Sequence, residues 1–183
     1  MTRILLALLL ILPFGSKAAD SPWFAAGLIG QYDDSRFIDI FRANGGYLES
    51  SYLGAAIVGR ELDVWWDHVV WEAEGHLVRH WGDQSHWEKN IALVVAWTHF
   101  PWDDWVDTRV SFAQGMSRAS ERPPVEEDTR HLLHYMHADI TIRPPGSSRW
   151  SLVTRVYHRS GVFGLYGTSG GSNYLTTGLR YQF

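Results

Sequence analysis

Tyr174-Leu175-Thr176-Thr177-Gly178-Leu179-Arg180-Tyr181-Gln182-Phe183 ends the chain, and its alternation decides the fold. Leu175, Thr177, Leu179, Tyr181 and Phe183 share one face of an extended strand; Tyr174, Thr176, Gly178, Arg180 and Gln182 share the other. Successive side chains of a strand point to opposite sides, so one face is mostly apolar and the other polar or ionisable. The same period-2 pattern recurs upstream between turn sequences, over 23–31, 46–58, 63–79, 86–98, 107–118, 129–142, 148–160 and 173–183. Helical periodicity is weak. No later segment approaches the roughly 18 uninterrupted apolar residues of a transmembrane helix.

Individual stretches repeat the two-faced pattern. Trp65, Val69, Trp71, Ala73 and Leu77 oppose Glu72, Glu74, His76 and His80, with Asp67 the exception on the apolar face. Leu132, Met136, Ala138 and Ile140 oppose Tyr135, His137, Asp139 and Thr141, while Trp150, Leu152 and Val156 oppose Arg155 and Arg159. The ionisable faces carry both signs, Glu72, Glu74 and Asp139 against Arg155, Arg159 and Arg180, as a cross-lumen network of ion pairs requires. Eight strands close around an interior just wide enough for side chains, so no channel is expected. Trp65, Trp66, Trp81, Trp87, Trp97, Trp102, Trp105, Trp150, Tyr174 and Tyr181 fall near strand ends, where aromatic girdles sit. A strand that closes the chain on Phe183 is similar to the last strand of bacterial outer-membrane barrels. The expected fold is all-β, an eight-stranded antiparallel outer-membrane β-barrel. A soluble periplasmic barrel of lipocalin type is the weaker alternative.

Composition narrows the function. The 183 residues hold 16 Lys+Arg, 20 Asp+Glu, 10 Trp and no cysteine, for a net charge of −4. Disulfides, zinc-thiolate sites and a Cys nucleophile are thereby excluded. Lysine occurs only at Lys17 and Lys89, so there is no basic footprint for nucleic acid. Residues 1–18 read as a signal peptide: Arg3, an apolar run from Ile4 to Phe14 broken by Pro13, then Ser16-Lys17-Ala18 at the cleavage site. Cleavage leaves 19–183 as a single barrel domain, exported to the outer membrane. Arg3 and Lys17 leave with the signal, so the charge becomes 14 − 20 = −6. With both termini in the periplasm, connections near 32–45, 80–86, 119–128 and 161–172 are extracellular. Those near 59–62, 99–106 and 143–147 are periplasmic, with Pro144-Pro145-Gly146 and Pro101-Trp102-Asp103-Asp104 as turn sequences.

The seventh stretch ends Val156-Tyr157-His158-Arg159-Ser160-Gly161. His158 and Ser160 share the lipid face of Trp150, Leu152 and Val156, at its extracellular end. Polar groups facing lipid are disfavoured, and a His and Ser sharing one face are candidates for base and nucleophile. A rim position, where a polar side chain costs little, is the bland explanation.

Tyr157-His158-Arg159-Ser160, on the penultimate strand, resembles the His-x-Ser motif of the PagL-type lipid A 3-O-deacylases. Gly161 to Gly167, Gly170-Gly171-Ser172-Asn173 and the strand to Phe183 are similar to a divergent branch of that family. The resemblance is specific over 155–183. It implies a serine esterase that removes an ester-linked acyl chain from the glucosamine of lipid A, with Ser160 as nucleophile and His158 as general base. Its partner would be lipid A, within lipopolysaccharide, and it would need no cofactor. The family's Asn after the Ser is Gly161 here, whose backbone N–H is the remaining oxyanion donor. The family's Glu on the last strand has no counterpart, because residues 159–183 contain neither Asp nor Glu. A symmetric last loop places Asn173 opposite Ser160, as the group that orients His158; Glu126 and Asp128 are other candidates. A non-catalytic barrel of the same ancestry, binding lipopolysaccharide or a partner, is the alternative.

Nine histidines raise the question of a metal, with His76 and His80, or His131, His134 and His137, as the candidate groups. His76 and His80 lie about 13 Å apart on a strand, and a lumen hydrogen-bond network explains His131 and His137, so no metal site is expected. Glu126-Glu127-Asp128 reads as a solvated loop, and 161–171 as a mobile outer loop.

Overall fold

The computed structural model describes residues 21–42, 46–126, 128–144 and 149–183. The signal segment, Glu127 and the Pro145-Gly146 part of the last turn lie outside the described residues. The elements are β1 (Trp23–Asp33), α1 (Phe37–Phe41), β2 (Leu48–Trp65), β3 (Val69–Gly82), β4 (Trp87–Trp97), β5 (Asp107–Ala119), β6 (Leu132–Arg143), β7 (Trp150–Ser160) and β8 (Gly171–Gln182). Each strand pairs antiparallel with the next, and β1 pairs with β8, closing the barrel. Closure leaves no open sheet edge.

The apolar face points out. Along β4, Trp87, Ile91, Leu93 and Trp97 are exposed, whereas Glu88, Asn90, Ala92, Val94 and Ala96 are buried. On β3, Glu72, Glu74, His76 and His80 point inward. A soluble barrel has the reverse distribution; this one suits a hydrocarbon solvent. The expected girdle is lopsided. Trp23, Trp65, Trp66, Trp71, Trp97, Trp102, Trp105 and Trp150 ring the end that holds the termini, and only Trp81 and Trp87 mark the other. Tyr174 is no girdle residue: it is 1% exposed and points into the lumen, within hydrogen-bond reach of Ser51 and Gln84.

Paired charges fill the lumen in layers, as the mixed signs of the polar faces required. Nearest the termini, Arg109 and Arg180 both grip Glu72, at 2.5 and 2.7 Å, and Arg180 also lies 3.5 Å from the centroid of the Phe24 ring. In the middle, Arg155 bridges Glu74 at 3.1 Å and Asp139 at 2.7 Å, while His76 bonds Glu74 at 2.8 Å. Towards the far mouth, Arg159 pairs with Glu126 and donates to Ser117 Oγ, Arg130 O and His131 O. Glu88 there accepts from Ser117 and Tyr157 and meets His80 at 2.9 Å. His86, in the connection above it, is driven down to about 4 by burial and then by His80 beside it, so it is neutral at pH 7.

Two expectations need correction. The β2–β3 turn lies at 66–68, not 59–62. Gly59 is no turn glycine; a Cβ there would stand 2.1 Å from the Phe24 ring, so packing dictates it. An irregularity between Glu61 and Asp63 shifts the pairing and breaks the alternation that marked the strand's end. Trp66 and Asp67 have φ of 52° and 63° and make the actual turn, which explains why Asp67 violated the apolar face. Second, Glu126 is not solvated: it is 5% exposed and folds back to Arg159. A buried arginine needs a carboxylate, and strand periodicity says nothing of what a loop supplies.

Candidate active site

His158 and Ser160 lie near the end of β7 farthest from the termini. Arg155, Tyr157 and Arg159 are buried in the lumen, so the intervening His158 and Ser160 project from the outer wall. β8 pairs with β7 so that His158 faces Asn173 and Ser160 faces Gly171. Asn173 is thus opposite His158 rather than Ser160, two residues from the symmetric-loop expectation. That register improves the site. Asn173 Oδ1 lies 2.6 Å from His158 Nδ1.

The Asn173 amide is itself fixed. Its Nδ2 donates to Ser35 O at 2.5 Å, and Ser35 is held by Asp33, which accepts from the Ser35 amide at 2.9 Å and from its hydroxyl. With Nδ2 committed to a carbonyl, Oδ1 is left for His158. Neutral His158 therefore donates from Nδ1 and carries its lone pair on Nε2. Phe37 of α1 packs on the imidazole, ring centroids 4.9 Å apart, and against Phe41 at 5.1 Å. The β1–β2 connection so covers the outer wall at this point, and Asn173 is only 6% exposed despite its outward parity. No hydrogen bond joins Ser160 Oγ to His158 among the described residues. Catalytic bonds of this kind are often long in ligand-free structures.

Across the other edge of β7, His134 of β6 stands directly opposite Ser160. Directly opposed residues bring their Cβ atoms to about 4.5–5.5 Å. His134 Nδ1 is buried without a hydrogen-bond partner, and Tyr166 approaches its ring at 6.4 Å. Reading the sequence for a catalytic site missed His134. The signal was present: it has the parity of Leu132 and Met136 and is an ionisable group on an apolar face, as His158 is.

The remaining candidates part company. The Gly161 N–H donates to Gly170 O at 3.0 Å, so an oxyanion role for it costs that backbone bond. A Cβ at Gly161 would stand 1.9 Å from Thr168 O, which accounts for the glycine by packing alone. Glu126 faces the lumen, and Asp128 is exposed with Arg130 at 3.3 Å; neither bonds His158. The 161–167 segment is held by turn bonds, Leu165 N to Val162 O at 3.0 Å and Gly167 N to Gly164 O at 2.9 Å. Val162 and Phe163 have φ of 48° and 52°, unfavourable for bulky side chains, and the turn leaves Phe163 and Leu165 fully displayed beside the site.

No protein-family profile and no curated protein matches the chain. Among solved structures it is similar to the outer membrane enzyme PagL, with a TM-score of 0.67 and 12% identity over 88% of this chain and 99% of that one. It is also similar to Neisserial surface protein A, with a TM-score of 0.54 and 8% identity over 91% of this chain and 100% of that one. At such identities the likeness is one of fold: the chain shares the closed eight-stranded architecture of these outer-membrane barrels.

Proposed function

We propose that the chain is an outer-membrane esterase that removes an ester-linked acyl chain from lipid A. The observation that carries this reading is the Ser35–Asn173–His158 chain of hydrogen bonds. It sets the tautomer a general base needs, on the membrane face of the wall, two residues from a serine. With export by residues 1–18 and both termini in the periplasm, as the sequence reading expects, that face would meet the outer leaflet, where lipid A lies.

In this reading Ser160 Oγ attacks the ester carbonyl carbon while His158 Nε2 takes its proton. The sugar oxygen leaves with that proton. Water, deprotonated by His158, then attacks the acyl-serine, releasing the fatty acid and restoring Ser160. The oxyanion needs donors within about 2.7–3.1 Å. The Gly161 N–H, once released from Gly170 O, and the ring N–H of His134, which stands opposite Ser160, are the groups nearest in register. Phe163 and Leu165 offer apolar contact to the acyl chain. The chemistry calls for no cofactor.

Mass spectrometry of lipid A from cells expressing the chain tests the proposal. Loss of one acyl chain is expected; unchanged lipid A, with the folded barrel present in the outer membrane, overturns it. Asn173 acts as a positioning residue. Asn173→Leu is expected to lower kcat about 10–100-fold, a share of the roughly 10⁴ that a charged partner supplies, with KM little changed. Equal activity in a folded Asn173→Leu variant would remove Asn173 from the mechanism.

One observation favours a second reading, a non-catalytic barrel that binds lipopolysaccharide or a partner: His158 meets an amide and no carboxylate. An amide orients imidazole without stabilising imidazolium.

A further inference from the structure

We propose that His80, His86 and Glu88 form a zinc site inside the far mouth of the barrel, separate from the wall that carries Ser160. The three come from one hairpin. His80 lies near the end of β3, Glu88 near the start of β4, and His86 in the 83–86 connection. His80 N donates to His86 O at 2.9 Å, which folds the connection over the lumen. Strand alternation turns His80 and Glu88 inward. All three are buried, with His86 3% exposed, and their donor atoms lie within 4.8 Å of one another.

Protein contacts leave this cluster unfinished. Both ring nitrogens of His86 are buried without a hydrogen-bond partner, as is Gln84 Oε1. Elsewhere in the lumen the arginines meet carboxylates, and His76 and His137 each leave one ring nitrogen unmet, whereas His86 leaves both. Buried polar groups are normally satisfied, so an imidazole held dry with both nitrogens unmet calls for a ligand. It stacks on His80 with centroids 4.2 Å apart and planes 10° from parallel.

The donor set selects the ligand. Two imidazoles and one carboxylate suit zinc, and the imidazoles disfavour magnesium or calcium. Zinc bonds near 2.0 Å require ligand atoms about 3.3 Å apart, so the 83–86 connection draws inward on binding. His80 Nε2 bonds Glu88 Oε2 at 2.9 Å; zinc takes the place of the proton between them, and the coordinated ring then carries its proton on Nδ1. Ser117 and Tyr157 already hold the other oxygen of Glu88, as outer-shell groups do. Gln84 Oε1 or water completes four-coordination. Bound zinc would tie the β3–β4 hairpin to the lumen and stabilise the mouth.

The protein purified from outer membranes in detergent without a histidine tag, stripped with chelator and equilibrated with zinc, supplies the test. About one zinc per chain and a higher unfolding temperature are expected. His86→Phe keeps the ring stack and removes both nitrogens. It should weaken zinc binding at least 100-fold, beyond the usual loss for an outer-shell group, and abolish the zinc-dependent rise. Glu88→Gln should do likewise, whereas His99→Ala, an exposed histidine near the termini, should change nothing. Wild-type protein that takes up no zinc, or a folded His86→Phe variant that retains it, overturns the site, as does loss of zinc with His99→Ala.

Discussion

In the proposed esterase, Ser160→Ala is expected to lower deacylation at least about 100-fold while leaving the barrel folded. Ser160 is half-buried on the outer wall and makes no ladder contact through its side chain, so its hydroxyl carries little stability. A complete serine, histidine and acid set contributes about 10⁶ to kcat. Replacing the acid by an uncharged amide forfeits up to about 10⁴ when the tautomer is also wrong. Here Ser35 forces Asn173 to offer its oxygen, so the tautomer is right and part of that loss is avoided. The remaining contribution of Ser160 is therefore at least about 10²-fold. Single-turnover hydrolysis of purified lipid A in detergent measures it directly. An alanine variant with undiminished rate would show that the hydrolysis arises elsewhere.

The sequence made the barrel plain and the geometry of the candidate site half plain, for identifiable reasons. Period-2 alternation depends only on neighbouring residues, so Leu175 to Phe183 announced its own two faces, and Glu72, Asp139 and Arg155 announced a paired lumen. His158 and Ser160 were legible because they violate an apolar face. His134 violates one too, but strand pairing across β6 and β7 was needed to set it beside Ser160. Register was the weak link. Ser160 pairs with Gly171, which moved Asn173 from Ser160 to His158. Contributions from loops were opaque. Nothing periodic tells that Ser35 would fix an amide on β8, that Phe37 would cover an imidazole on β7, or that Glu126 would enter the lumen. The grouping of His80, His86 and Glu88 was not legible because His86 belongs to a tight connection, where strand spacing no longer measures distance.

Arg155→Leu is expected to be the most destabilising single change in the lumen. The guanidinium is 4% exposed and bonded to two carboxylates, Glu74 at 3.1 and 3.2 Å and Asp139 at 2.7 and 3.0 Å. Its removal leaves two buried acids facing one another across a space too narrow for bulk water. Breaking a buried pair by deleting one partner costs about 3–5 kcal/mol. With a urea dependence of about 1–3 kcal/mol/M, the unfolding midpoint should fall by about 2 M. The cost is that of unpaired charge rather than of lost attraction. The triple variant Arg155→Leu, Glu74→Gln, Asp139→Asn should therefore recover most of it, because neutral amides can bond one another and the nearby His137. Urea titration of the refolded barrels, followed by the shift in gel mobility between folded and unfolded forms, separates the cases. An Arg155→Leu midpoint equal to wild type would mean the lumen admits water freely. A triple variant no better than the single one would mean the guanidinium holds the strands by shape and hydrogen bonding, with charge balance secondary.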